Sequence, residues 1–186
     1  MHQISSELVS GKTIRRPRIG FVGVGWIGRH RMQAIIEQNN VEIAAIADAV
    51  PATAAEAARL APGAKLLSSL EDVLDAGVDG VVIATPSAMH AEQSIRALER
   101  GAAVFCQKPL GRTEAEVKTV IEAARAADRL LAVDLSYRFT EAMQRIRELV
   151  ACGELGHVYA IDLVFHNAYG PDKPWFYDPA LAGGAA

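Results

Sequence analysis

The sequence predicts an α/β protein: a doubly wound parallel sheet followed by an incomplete α+β unit. Three observations predict it. Short apolar runs alternate with segments of helical periodicity from Arg18 to Asp134. Runs such as Val81–Ala84 are continuously apolar, as in strands covered on both faces. The first run also leads directly into a glycine-rich turn, Gly23-Val-Gly-Trp-Ile-Gly28, and a helical segment follows at once.

Arg18–Val22 has strand character and Ile27–Gln38 reads as a helix, so the glycines fall on the turn between them. Gly23 permits the tight turn, Gly25 leaves bare backbone for a pyrophosphate, and Gly28 lets the helix pack close to the strand. The helix N-terminus offers unpaired N–H groups and a positive dipole end to phosphates. Trp26 and Ile27, inside the turn, join the three glycines as candidate cofactor-binding residues. A second strand, Val41–Ala47, ends at Asp48, about twenty residues past the glycines, where a carboxylate can bind ribose hydroxyls. The plainer reading is a structural turn and a solvated aspartate. The strand-turn-helix context and the acidic strand end together favour dinucleotide binding.

The remaining elements follow in order. Pro51–Leu60 is an alanine-rich helix with proline in its first turn. Lys65–Leu67 is a short strand, and Ser69-Leu-Glu-Asp72 resembles a capping box opening a helix to Ala76. Val81–Ala84 is a strand bounded by Gly80 and Pro86. A helix from His90 to Arg100 stops at Gly101, a suitable left-handed cap. Ala103–Cys106 is the fifth strand. Thr113 opens a helix whose Val117, Val120, Ile121 and Ala124 share one face, and Leu130–Asp134 is the sixth strand. Ligands of such sheets sit beyond the carboxyl ends of the strands, so the loops after Val22, Ala47, Ala84, Cys106 and Val133 are expected to carry function.

Past residue 136 the pattern changes. Thr140–Ala151 is amphipathic, Gly153 and Gly156 break it, and His157–Asn167 alternates as a half-buried strand with Tyr159, Ile161, Leu163 and Phe165 on one face. The expected layout is a disordered leader over 1–16, a dinucleotide-binding domain over 17–135, and a linker helix with the first strand of a substrate domain over 136–186.

Bulk properties narrow the function classes. The 186 residues are 51% hydrophobic with a net charge of −3, ordinary for a globular protein. No basic stripe points to nucleic acid, and the apolar runs are of strand length, so neither nucleic acid nor membrane is an expected partner. Cys106 and Cys152 make no disulfide framework, and neither they nor His30, His157 and His166 show metal-ligand spacing. No metal is expected, and the thiols fit the reducing cytoplasm. Arg15-Arg16 has no apolar export region between it and the first strand.

Two loops carry further chemistry: Thr85-Pro86-Ser-Ala-Met-His90 and Gln107-Lys108-Pro109. With the glycine turn, Asp48 and Tyr137-Arg138-Phe139, they resemble the Gfo/Idh/MocA family of nicotinamide-dependent oxidoreductases over roughly residues 17–185. The resemblance implies a nicotinamide cofactor and a sugar, inositol or related polyol as substrate; Asp48, whose charge opposes a 2′-phosphate, favours NAD over NADP. The resemblance also implies that Lys108 acts at the reacting carbon, with a cis bond to Pro109. The chemistry is sound on its own terms, because a lysine beside a cationic nicotinamide has its ammonium form disfavoured and can exchange a proton with a hydroxyl. Pro109 also holds Lys108 extended. Gln107 departs from the family's glutamate: it can still hydrogen-bond a ribose or amide, but it removes a charge beside Lys108.

Taken singly, these residues have plainer readings: Lys108 as a solvated loop lysine, His90 as a histidine of a helix start, Cys106 as a core thiol and Arg138 as an inter-domain ion-pair residue. Thr85, Pro86, His90, Gln107 and Lys108 complete the candidate cofactor-binding set. The family's D-x-x-x-H segment lies beyond Leu181-Ala-Gly-Gly-Ala-Ala186, so the chain as given is expected to be a truncated and inactive dehydrogenase. The alternatives are a non-catalytic NAD-binding module, or an interaction subunit pairing through an exposed strand. A homo-oligomer or a complementing C-terminal chain is the corresponding partner.

Overall fold

A computed structural model describes residues 15–164, 177–178, 180 and 181. Its six strands are β1 (Arg18–Val22), β2 (Glu42–Ala47), β3 (Lys65–Leu67), β4 (Gly80–Ile83), β5 (Ala103–Gln107) and β6 (Leu131–Asp134). All pair in parallel in the order β3-β2-β1-β4-β5-β6. The helices are α1 (Trp26–Glu37), α2 (Pro51–Ala58), α3 (Leu70–Asp75), α4 (His90–Glu99), α5 (Glu114–Ala127) and α6 (Glu141–Ala151). Each expected element up to Ala151 is present, with ends displaced by at most two residues.

Strand residues alternate between two cores. Phe21, Ile46 and Val82 face Met32 of α1 and Ala57 of α2. Val22, Val81 and Ile83 face Val73 of α3, Leu98 of α4 and Val120 of α5. Burying a large aliphatic or aromatic side chain contributes about 1.5–3 kcal/mol, so the two layers hold the sheet from both sides. Between β1 and β2 the register slips once: Ile19 lies opposite Ile43 and Gly20 opposite Ala45, leaving Ala44 as an extra residue in β2.

Local chemistry sets the element ends. Ser69 Oγ accepts from the Asp72 amide at 3.1 Å, and Thr113 Oγ1 from the Glu116 amide at 3.2 Å, capping α3 and α5. At the start of β1 the Arg18 amide donates to Asp79 Oδ2 at 2.7 Å, while both Asp79 oxygens receive the Arg15 fork at 2.6 Å. The Arg15 bond, followed by that from the Arg18 amide, holds the Asp79 carboxyl below its ordinary value. Of the expected leader, residues 1–14 lie outside the described residues. Arg15 and Arg16 are tied to the domain through Asp79 and Asn39.

The expected strand at 157–167 is not formed where it can be seen. Residues 157–164 have no regular structure, and Tyr159, Ile161 and Leu163 are exposed; 165–167 lie outside the described residues. Alternation alone does not make a strand, because the backbone needs a neighbouring ladder and none of the described residues supplies one. The amphipathic α6 is likewise uncovered, with no residue buried and Ile146 and Val150 both exposed.

Candidate functional site

The chain turns back between β1 and β4: β2 and β3 extend the sheet one way, and β4, β5 and β6 the other. Loops diverge at such a switch point and leave a crevice past the strand ends. A cleft of 1270 Å³ opens there, reached from successive strands by Gly25, Asp48, Thr85, His90 and Lys108. Gly23, Trp26, Ile27, Pro86 and Gln107 also line it, and Gly28 lies beneath.

The three glycines differ in what surrounds them. Gly23 has φ +81°, and a Cβ there would stand 2.6 Å from the Ala84 backbone. At Gly28 a Cβ would stand 2.3 Å from the Gly23 carbonyl oxygen, so only a bare Cα lets α1 approach the turn. At Gly25 a Cβ would meet nothing within 4 Å: the space over it is open cleft. The amides of Trp26 and Ile27, in the first turn of α1, have no intrahelical acceptor. This is the cradle an anionic pyrophosphate requires, and it fits a dinucleotide.

Asp48 is half-buried at the end of β2. Its Oδ2 accepts from the Val24 amide and its Oδ1 from the Val50 amide, both at 2.8 Å. A carboxylate has about four acceptor sites, so two such bonds aim the group while leaving capacity for ribose hydroxyls.

On the other side of the switch point, His90 joins two loops. Its Nε2 lies 2.8 Å from the Thr85 carbonyl and its Nδ1 2.6 Å from the Pro109 carbonyl, with the ring almost wholly buried. Thr85 Oγ1 donates to Gln93 Oε1 at 2.6 Å, holding the same loop against α4. The His90 side chain therefore caps no helix; it fastens the turn after β4 to the loop carrying Lys108. Lys108 is exposed at the cleft, and its bond to Pro109 is cis.

Gln107 and Asp134 form the base of that loop. Asp134, 6% exposed at the end of β6, receives Arg31 Nε and, at 2.9 Å, Gln107 Nε2 on the same oxygen. Gln107 Oε1 accepts from the Lys108 amide at 2.8 Å. Arg31 and Asp134 were not among the candidates read from the sequence. The available signal for Asp134 was its place: a carboxylate ending an apolar run, as Asp48 does.

Cys106 is the core thiol expected of it, and the inter-domain pairing expected of Arg138 is not seen among the described residues. Arg138 makes no ion pair among the described residues; its guanidinium lies 6.0 Å from the Phe139 ring centre. Arg138 sits in the single turn Ser136–Phe139. Cys106 is a fully buried thiol whose burial pushes its pKa up to about 12, against a smaller opposing effect of the Ser94 hydroxyl, so it is unsuited to chemistry. The described residues hold no cluster of metal-ligating side chains and no helix long and apolar enough to cross a membrane.

Comparison with known proteins bears on the same residues. Residues 17–135 match the GFO/IDH/MocA model described as an oxidoreductase family with an NAD-binding Rossmann fold, and residues 143–186 match a GFO/IDH/MocA C-terminal domain. Inositol 2-dehydrogenase of Leifsonia xyli subsp. xyli is 34% identical over 159 residues, 84% of this chain and 47% of that protein. The WlbA dehydrogenase of Bordetella pertussis, solved with NADH and UDP-GlcNAcA, superposes with a TM-score of 0.73 at 31% identity over 78% of this chain and 45% of that one. The scyllo-inositol dehydrogenase of Lactobacillus casei, solved with NAD(H) and scyllo-inositol, gives 0.69 at 26% identity over 76% and 43%. The chain thus spans about half the length of the relatives it matches.

Proposed function

The chain belongs to the Gfo/Idh/MocA oxidoreductase family, and from that premise we propose that residues 17–135 bind NAD across the β1/β4 switch point as the cofactor half of a dehydrogenase acting on a sugar, inositol or related polyol. The convergence of the glycine turn, Asp48 and the Lys108 loop on one cleft carries this reading. The first-turn amides of Trp26 and Ile27, over the open face of Gly25, hold the pyrophosphate. Asp48 accepts from the adenosine ribose and disfavours a 2′-phosphate by charge. Thr85, Pro86, His90 and Gln107 shape the nicotinamide end of the cleft.

When bound, the cofactor supplies hydride acceptance or donation. Lys108 exchanges the accompanying proton with the substrate hydroxyl through its Nζ, directed toward the cleft by the extended backbone before Pro109. Residues 136–186 begin the substrate domain, with α6 as the linker, as the match over residues 143–186 supports. The exposed faces of α6 and of residues 155–164 are then covered by the rest of that domain, by a complementing chain or by a second copy. The free thiols Cys106 and Cys152 suit a cytoplasmic setting.

Calorimetric titration of the 186-residue chain with NAD and with NADP tests the reading. Saturable binding with NAD the tighter ligand is expected. No binding of either, or tighter NADP, would overturn it.

A further inference from the structure

We infer that Asp134 is a positioning residue for the loop Gln107-Lys108-Pro109 at the edge of the cofactor cleft, and that its presence is the reason residue 107 is an amide. The inference rests on the reading above that NAD occupies the cleft beside Lys108. Asp134 Oδ2 is shared by Arg31 Nε from α1 and Gln107 Nε2 from β5. The other end of the Gln107 amide accepts the Lys108 N–H. That amide has one workable orientation. Turned over, it would set its oxygen against the Asp134 carboxylate and its NH₂ against the Lys108 N–H. The polar chain is therefore directional, from a buried carboxylate through a neutral amide to the backbone of Lys108.

A glutamate at 107 would still accept from Lys108, but its second oxygen would face Asp134 at hydrogen-bonding distance. Two carboxylates that close cannot both ionise without cost, and Arg31 supplies one compensating charge. The charge that the family resemblance leads one to expect on residue 107 thus stands one strand over, on residue 134. There it is buried, paired with α1, and able to orient the Lys108 loop from beneath. Because the first turn of α1 is also the proposed phosphate site, the one carboxylate ties both ends of the cofactor cleft.

The test is a charge exchange in the 186-residue chain. NAD affinity by calorimetry and the thermal midpoint without cofactor are measured at pH 8 for the wild type, Gln107→Glu, Asp134→Asn and the double variant. Gln107→Glu is expected to weaken NAD binding roughly tenfold, within the range of coupling between contacting residues. Adding Asp134→Asn is expected to recover affinity to within about threefold of wild type, since the carboxylate now at position 107 accepts from the amide now at position 134 and from the Lys108 N–H. A merely structural role would move the thermal midpoint and leave NAD affinity unchanged. Unchanged affinity in Gln107→Glu overturns the inference. So does a double variant no better than Gln107→Glu, or an Asp134→Asn that strengthens binding equally in the wild-type background. If Gln107→Glu shows no thermal transition, the double variant decides: folding and binding support the exchange, and their loss overturns it. A wild type that binds no NAD removes the cofactor reading instead, and the inference with it.

Discussion

The buried ring of His90 stands 2.6 Å from the carbonyl oxygen of Pro109, so a residue at the start of one helix holds the loop that carries Lys108. Replacing His90 by alanine deprives the Thr85 and Pro109 carbonyls of their partner and opens a void. A loss of about 2–4 kcal/mol is expected, read as a fall in urea midpoint at constant slope. Glutamine at the same position should restore part of it. Wild-type stability in His90→Ala would remove the clamp.

The glycines of the turn should separate by function. Gly25→Ala places a methyl in open cleft, so its melting temperature should stay near wild type while NAD affinity falls by tenfold or more, roughly the cost of blocking a close phosphate approach. Gly28→Ala drives a methyl into the Gly23 carbonyl and should lower both. Equal effects of the two substitutions on stability would contradict this division.

Asp48→Ala removes the acceptor for two backbone amides as well as the proposed ribose acceptor. We expect weaker NAD binding, a smaller gap between NAD and NADP, and about 1–3 kcal/mol lost from stability. Parallel titrations with both cofactors and a melt of the apoprotein measure the three effects separately.

Lys108→Ala should lower turnover about 10²–10⁴-fold in a full-length relative carrying this loop, with cofactor affinity little changed. The 186-residue chain itself is expected to bind cofactor without appreciable turnover, because a substrate must be held at the nicotinamide and shielded from water. NADH absorbance across common polyols checks the second expectation. Near-normal turnover of the variant returns Lys108 to a solvated loop.

Asp79 provides a pH signature. Arg15 and the Arg18 amide hold its carboxyl below the ordinary value in the folded state. Its contribution is therefore fully present above the unfolded value of about 3.9 and is lost as pH falls through the lower folded one. Asp79→Asn should melt below wild type by a constant margin from about pH 5 to 8, and the margin should close in stronger acid. A margin that widens on acidification would reverse the assignment.

How far these features could be read in advance depended on their range. The glycine turn, Asp48 and the caps at Ser69 and Thr113 act on neighbours a few residues away, or at a spacing set by one crossover, so residue order alone exposed them. Arg31 and Asp134 meet across 103 positions, and no periodicity links them. The same holds for Gln107: its identity was visible as a departure, but its partner lies on another strand. The place of His90 after the Thr85 turn is legible in the sequence, while its work, joining two carbonyls, requires the packed sheet. The alternation at 157–164 finds no ladder to join among the described residues.

The extra residue Ala44 gives the interval between glycine turn and carboxylate a meaning that counting does not convey. Side chains on a strand alternate faces, so the bulge changes parity: every residue from Ala45 onward is offset by one relative to β1, and Asp48 inherits that offset. Length added between Glu37 and Glu42 lies outside the strand and leaves the carboxylate's aim alone. A residue inserted between Ala45 and Ala47, which the bulge could not absorb, would turn it to the opposite face. What a motif records as a distance of about twenty residues is, at its last few positions, a choice between odd and even.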